Sequence, residues 1–181
     1  MSYAVPQPEQ AGISVLVKLF EHNAWANVKL LDFCSRLSDE QLGATAVGTF
    51  GTIRGTLMHM IGAEQGYVER VNGRTPPKPL SRDRLPTFEM LSDAAAWTSS
   101  QMLELALSAH ADTLVEEVSP EEKVEYNLTD LLVQAVGHST EHRSQIATTI
   151  TQLGLEPPDL SGWAWMEETG AFRITDLKAR D

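Results

Sequence analysis

The chain has 181 residues, of which 42% are hydrophobic, and this size predicts one domain, residues 1–181, with a substantial core. Its formal net charge of −11 repels phosphate backbones and anionic lipids, so neither nucleic-acid binding nor membrane association is expected. The chain lacks an apolar run of the roughly 18 residues that a membrane span needs, and residues 1–8 carry no secretory signal pattern, so we expect a cytoplasmic protein. The single cysteine, Cys34, excludes an internal disulfide, and its place in an apolar pattern predicts that it is buried.

Four segments have the apolar spacing of amphipathic helices. We predict helices over residues 13–37, 52–71, 87–118 and 129–154. Between the third and the fourth, residues 123–128 alternate polar and apolar side chains, which predicts a short strand or an extended link. Strand signals elsewhere are few, so helices dominate the expected structure.

Four amphipathic helices in series predict an all-α fold, a four-helix bundle of the up-and-down type. Residues 73–86 form a loop bearing proline and arginine that is long for a compact domain, and it is interpreted either as a lid or as a crossover along the bundle. Ser38 begins a cap and turn after the first helix. Trp163 and Trp165 lie in the tail, where we expect them to pack back onto the helices.

Two histidines four residues apart, His138 and His142, interrupt the apolar face of the last predicted helix. Residues separated by three or four positions share one face of a helix. That face reads Leu131, Ala135, His138, His142, Ile146, Thr149 and Leu153. Neutral imidazole is the commonest metal ligand in proteins, so a pair on a buried face indicates a metal site. The alternative is two hydrogen-bonded core histidines.

A catalytic site of the zinc type needs a third protein ligand, and His59 is the strongest candidate. It lies on a face of the second helix that is rich in glycine, at Gly51, Gly55, Gly62 and Gly66. Each glycine inside a helix costs about 1 kcal/mol relative to alanine. Several on one face indicate close approach of a neighbouring helix or room for a ligand. His22 and His110 are expected to be exposed and are weak candidates.

Residues His138 to His142 also match the pattern H-x-x-E-H of inverted zinc peptidases, in which Glu141 would be the general base. This interpretation is disfavoured because little chain follows His142 to build a peptide groove and a distant acidic ligand. A solvated neighbour of the site is the simpler role for Glu141.

Two further side chains are candidate catalytic residues. Gln145, three residues after His142, could hydrogen-bond a water on the metal, or it could be a surface amide. Glu64 is rotated away from His59 but could reach the pocket from the helix edge; an ion pair with Arg70 or another arginine is the alternative. Arg143 is expected to pair with an acidic residue.

Three segments and one short motif resemble the DinB/YfiT-like family of small bacterial metal-binding four-helix proteins. The segments are Leu57–Tyr67, His138–Ile146 with its pattern H-x-x-x-H-R-x-Q, and Leu153–Leu160, and the motif is Trp25-Ala26-Asn27. The resemblance implies four helices, frequent dimerisation, and a divalent metal held by one histidine of the second helix and two of the fourth. The matching positions are His59, His138 and His142.

The resemblance also implies a class of chemistry, since members of the family include thiol-dependent S-transferases and a mycothiol-dependent isomerase. We therefore expect a homodimeric, metal-dependent S-transferase or hydrolase that acts on a small electrophilic substrate, with zinc, nickel or iron as cofactor and a low-molecular-weight thiol as partner. Asn23 and Asn27 could orient the substrate or be exposed polar positions. The alternatives are a non-catalytic bundle that binds a metal or a ligand, and a purely structural role for the histidines. The tail around Trp163 and the loop 73–86 depart from the family pattern.

Overall fold

The computed structural model describes residues 8–81, 85–110 and 112–172, with side chains from Val15 onward. This part of the chain is mostly helical and contains one two-stranded antiparallel sheet. The elements in chain order are α1 (Pro8–Cys34), α2 (Asp39–Leu42), α3 (Ile53–Asn72), α4 (Phe88–Ser108), β1 (Leu114–Val118), β2 (Lys123–Asn127), α5 (Leu128–Gln152) and α6 (Gly162–Glu168). The prediction of a predominantly helical protein is confirmed, and the short strand predicted within residues 123–128 forms as β2, paired with the unpredicted strand β1.

Four of the helices, α2, α3, α4 and α6, begin at a residue whose side chain caps them. The hydroxyls of Thr52, Thr87 and Ser161 accept hydrogen bonds from the backbone near the starts of α3, α4 and α6. Ser38 caps α2 in the same way, and the side chain of Gln41 accepts a hydrogen bond from the backbone N–H of Ser38. Each cap satisfies a backbone donor that the helix leaves unpaired. The predicted cap at Ser38 is therefore confirmed.

The four long helices pack side by side around two clusters of buried side chains. α1 contacts α4 and α5, and α3 contacts the same two helices. One cluster joins the C-terminal halves of α1 and α5 to the N-terminal halves of α3 and α4, and it includes Leu30, Cys34, Ile53, Leu57, Leu91, Ile146 and Ile150. The other joins the opposite halves and includes Phe20, Tyr67, Val68, Met102, Leu105, Leu128 and Leu132. Helices α1 and α5 therefore run in one direction, and α3 and α4 run in the other.

This arrangement departs from a simple up-and-down order. Because the consecutive helices α3 and α4 run in the same direction, the connection between Gly73 and Thr87 has to return along the length of the helices, as the crossover interpretation of residues 73–86 predicts. Leu80 within it packs against the first cluster. The long loop thus connects two parallel helices.

The predicted third helix is too long at its C-terminal end. Helix α4 ends at Ser108, and Leu114–Val118 forms strand β1, which pairs with β2 so that Val115 faces Tyr126. The apolar residues of this segment, Leu114, Val115 and Val118, have helical spacing, but a short apolar run does not by itself distinguish a helix from a strand. Pairing with the predicted strand decides the outcome, because it satisfies the backbone groups of both segments.

Of the two tryptophans predicted to pack back onto the helices, only Trp165 does so. Trp165 lies against His22 of α1 at 5.7 Å between ring centroids, but Trp163 is 68% exposed and contacts Phe172. Residues two apart point to different sides of a helix, so α6 packs only one of the two rings, half-buried Trp165, against α1. His22 is half-buried and its Nε2 lies 2.9 Å from the carbonyl oxygen of Leu160, so its predicted exposure is wrong.

Within residues 8–81, 85–110 and 112–172, we find no helix that combines the length and the apolar character of a membrane span.

Cys34 is fully buried in the first cluster, as predicted, and burial raises the pKa of its thiol to about 12. Because the thiolate is the reactive form, we expect the native protein to react with a disulfide reagent such as DTNB about a thousandfold more slowly at pH 8 than an ordinary thiol does. The absorbance of the released thiolate measures the rate, and the protein in guanidinium chloride is the control. Equal rates for native and unfolded protein would contradict the burial.

Candidate metal centre

The three histidines predicted as ligands meet between α3 and α5. The Nε2 atom of His138 lies 3.0 Å from Nε2 of His59 and 3.1 Å from Nε2 of His142. His142 is buried and the other two rings are half-buried. Metal–nitrogen bonds of about 2.0–2.1 Å place two ligand nitrogens about 3–3.4 Å apart, depending on the coordination angle. Two of the three nitrogen pairs therefore have the spacing of ligands to one cation, and all three candidate ligand atoms lie within 4.8 Å of one another.

The hydrogen bonds of Gln145 determine which nitrogen of His142 is free to bind. The backbone N–H of Phe50 donates to Oε1 of Gln145, which identifies that atom as an acceptor, and Nε2 of Gln145 donates to Glu141. His142 Nδ1 lies 3.0 Å from the same Oε1 and must carry the proton that this contact needs. The Nε2 atom of neutral His142 then holds a lone pair directed at the other two rings. Gln145 thus orients a candidate ligand.

The protonation of His138 also suits a metal ligand. Burial and, to a smaller extent, the neighbouring rings of His142 and His59 together lower its pKa to about 4. The ring is consequently neutral at pH 7, the form in which imidazole binds metals. Its Nδ1 is buried and has no hydrogen-bond partner among the described residues, so the Nε2 side provides its polar contacts. A set of three neutral imidazoles fits a divalent metal such as zinc, nickel or iron.

Phe50 covers one side of the cluster, and the sequence analysis missed it. Its ring is stacked on His59 with 4.1 Å between centroids and an angle of 17° between the planes, and it meets the ring of His142 edge-on at 5.2 Å. The side chain is 56% exposed, so it lies between the cluster and the solvent. An aromatic residue between Gly48 and Gly51, just before the helix of His59, is the signal that could have indicated it.

The glycines near His59 leave space beside the cluster. A Cβ atom built on Gly62 or Gly66 has no other atom within 4 Å, whereas one on Gly55 would lie 2.9 Å from the capping hydroxyl of Thr52. Among the residues that the structure describes, no neighbouring helix comes into contact distance at Gly62 or Gly66. Of the two explanations that the sequence left open for this face, room for a ligand agrees with the structure.

The carboxylate of Glu64, a predicted catalytic candidate, lies in the interior and is 1% exposed. Its four hydrogen bonds come from side chains of three other helices, Asn23, Asn27, Thr98 and Ser139. The alternative ion pair with Arg70 does not form, because Arg70 pairs with Glu117 of β1 at 3.4 Å. The structure therefore surrounds Glu64 with helix-to-helix contacts.

Arg143 is buried as well, and its partners are amides where an acidic partner was expected. Its Nη1 donates to Oδ1 of Asn23 at 2.5 Å and of Asn27 at 2.7 Å. Burial lowers the pKa of the guanidinium to about 10 and the charge of Glu64 opposes that shift, so Arg143 stays cationic at neutral pH. Asn23 and Asn27 are 3% and 0% exposed, and the exposed alternative for them is wrong.

Residues 9–175 match the sequence profile of the DinB family. The chain belongs to that family.

Two relatives of Bacillus subtilis (strain 168) are similar to the chain over most of both lengths. The protein named DinB is 25% identical over 168 residues, which cover 84% of this chain and 95% of the relative. The uncharacterized protein YizA is 23% identical over 151 residues, which cover 81% and 92%. A crystal structure of a DinB-like protein from Bacillus cereus ATCC 10987 is 17% identical with a TM-score of 0.59, and the match covers 79% of this chain and 93% of that one. This likeness supports the DinB-like fold.

The contact between Gln145 and His142 in this DinB-family chain leads to a prediction. Gln145→Leu removes the acceptor of the Nδ1 proton and frees the ring to rotate, so we expect metal affinity to fall about 10- to 100-fold. Competition with a chromophoric zinc chelator measures the affinity. Thr148→Ala, on the exposed side of α5, is the matched control and should bind as the native protein does. Native affinity in Gln145→Leu would show that the amide does not orient the ligand.

Proposed function

We propose that this protein is a metal-dependent enzyme built on a four-helix bundle, and that it acts on a small electrophilic substrate as a thiol-dependent S-transferase or a hydrolase. The observation that carries the proposal is the convergence of three Nε2 atoms, from His59, His138 and His142, beside the open face of Gly62 and Gly66. Three protein ligands and adjoining space are the pattern of a catalytic site, whereas structural sites have closed shells.

A divalent metal lowers the pKa of a thiol or a water that it binds, and so supplies a nucleophile near neutral pH. The chain's own groups prepare the site for that chemistry. Gln145 holds the ring of His142, and the ring of Phe50 shields His59 and His142 from solvent on one side. The exposed neighbour Glu141 fixes the amide of Gln145. These contacts keep the ligands in place while the glycine side remains open to a substrate.

A cavity of about 440 Å³ lies beside Tyr67, and none of the three histidines lines it. Tyr67 forms part of its wall, and the same ring meets His138 edge-on at 6.1 Å between centroids. Arg70, Tyr126 and Asp130 supply charged and hydroxyl groups on the other walls. A cavity of this size with a few polar groups suits a small polar molecule.

Zinc and nickel are the metals we propose first, with iron next, since imidazole ligands suit all three. A low-molecular-weight thiol is the proposed partner. Homodimerisation and a cytoplasmic location stay predictions.

Cobalt(II)-loaded protein titrated with a small thiol such as 2-mercaptoethanol tests the proposal. We expect a sulfur-to-cobalt charge-transfer band in the near ultraviolet together with a shift of the visible bands, because the thiolate enters an open coordination position. Zinc-loaded protein treated in the same way is the control and should show no such band. A cobalt spectrum that stays unchanged at saturating thiol would contradict the thiol-dependent reaction and would favour a non-catalytic metal-binding protein.

A further inference from the structure

A network of buried polar side chains connects all four long helices directly beside the histidine cluster. Its members are Asn23 and Asn27 of α1, Glu64 of α3, Thr98 of α4, and Ser139 and Arg143 of α5. All six are at most 4% exposed. Buried polar groups are costly unless they are hydrogen-bonded, so the network restricts how the helices can be arranged.

The network has a defined polarity. The amide nitrogens of Asn23 and Asn27 donate to Oε1 of Glu64 at 2.8 and 3.1 Å, and their carbonyl oxygens accept from Arg143. Each amide therefore lies between the carboxylate of Glu64 and the guanidinium of Arg143. Its N–H group faces the negative charge and its carbonyl oxygen faces the positive charge. Breaking a buried charge pair by moving one partner is strongly unfavourable. A rotation or a shift of α5 against α3 would break these contacts.

The network and the candidate ligands occupy the same turns of the same helices. Ser139 directly follows His138, Arg143 directly follows His142, and Glu64 lies five residues after His59. The hydroxyl of Ser139 donates to Oε1 of Glu64 at 2.7 Å, which joins the helix of two ligands to the helix of the third. Slipping α5 by one residue would move its side chains by about 1.5 Å and 100°.

Apolar packing alone would specify this register weakly. Hydrophobic contacts are non-directional and tolerate rearrangement, whereas hydrogen bonds depend steeply on angle and distance. The distances from a metal to its ligand atoms must lie within a few tenths of an ångström of their ordinary values. Some directional contact between α3 and α5 is needed, and the bond from Ser139 to Glu64 provides it.

We propose that Glu64, through the hydrogen bond it accepts from Ser139, positions His59 against His138 and His142, so that Glu64 acts on metal binding through α3 and α5 as a positioning residue. This inference rests on the proposed function, since it assumes that the histidines bind a metal. The proposal predicts that losing the hydroxyl of Ser139 weakens metal binding more than losing the hydroxyl of Thr98 does, although both hydroxyls donate to the carboxylate of Glu64.

The test compares Ser139→Ala with Thr98→Val. Each variant loses one hydroxyl bond to Glu64, but Ser139 lies on the helix of His138 and His142, whereas α4 carries none of the three histidines. We expect Ser139→Ala to weaken the binding of cobalt(II) at least fivefold and to change its visible spectrum. Thr98→Val should stay within twofold of the native affinity with an unchanged spectrum. Thermal unfolding of the apoproteins measures the loss of stability separately.

Glu64→Gln provides a second measurement. It removes the negative charge, and it places an NH2 group, a hydrogen-bond donor, where the side chains around residue 64 also donate. We expect an affinity loss of more than tenfold in the folded protein, and the Ser139 and Thr98 variants decide the question if Glu64→Gln does not fold. Equal affinity and equal spectra for Ser139→Ala and Thr98→Val would overturn the positioning role. Failure of the native protein itself to bind cobalt would instead refute the proposed function.

Discussion

Replacing His138 by alanine is expected to abolish metal binding, with the bound metal falling from about one ion per chain to near zero at micromolar protein. His138 is the central ring, since its Nε2 lies within 3.1 Å of both other Nε2 atoms. Without it, His59 and His142 provide two ligands, which leaves fewer than the three that a catalytic site uses. Elemental analysis of protein dialysed against zinc and then against buffer measures the stoichiometry.

The chain offers a matched control in His110, an exposed histidine outside the cluster. His110→Ala should keep the native stoichiometry, which rules out a general effect of losing one imidazole. Native metal content in His138→Ala would contradict the assignment of the ligands. Loss of metal in both variants would contradict it as well.

The second large effect expected is on stability. A metal that binds only the native state stabilises it by about 4.1 kcal/mol when its free concentration is a thousand times the dissociation constant. In a chain of this size, we expect its removal by a chelator to lower the midpoint of thermal unfolding by roughly 8–16 °C. The three imidazoles join α3 to α5, so the ion would strengthen a contact that unfolding must break.

Differential scanning calorimetry of the native protein with zinc and with excess EDTA measures this shift. His138→Ala under the same conditions is the control and should melt at one temperature in both. An unchanged midpoint in the native protein would show that the histidines are core residues without a metal.

Much of the fold follows from local patterns. Helical spacing predicts α3 and α5 almost to the residue, and hydroxyls such as Thr52 mark where the helices begin. The same spacing shows which face of a helix is buried but not which helix covers it. The parallel course of α3 and α4 and the end of α4 at Ser108 depend on packing and strand pairing between distant segments, and no local pattern encodes them.

The candidate site divides in the same way. His138 and His142 share a helical face, so their pairing could be predicted from a spacing of four. Asn23 and Asn27 resemble surface residues in sequence, because the charges that justify their burial lie on other helices. Phe50 reaches the cluster from a loop, where periodicity carries no information.

The segments that carry the family resemblance turn out to be neighbours in space. Asn27 of Trp25-Ala26-Asn27, Glu64 of Leu57–Tyr67 and Arg143 of His138–Ile146 in α5 belong to one hydrogen-bond network. Ser139, which lies between the two histidines of that helix, bonds to the same carboxylate. Short motifs that are weakly informative one at a time thus describe one centre of the structure.

Anomalous diffraction from crystals grown with zinc, with data collected on both sides of the zinc absorption edge, tests the central claim most directly. We expect one strong peak per chain in the anomalous difference map, about 2.0–2.1 Å from the Nε2 atoms of His59, His138 and His142. The absence of a peak there, with the three rings hydrogen-bonded to one another or to other protein groups, would contradict it.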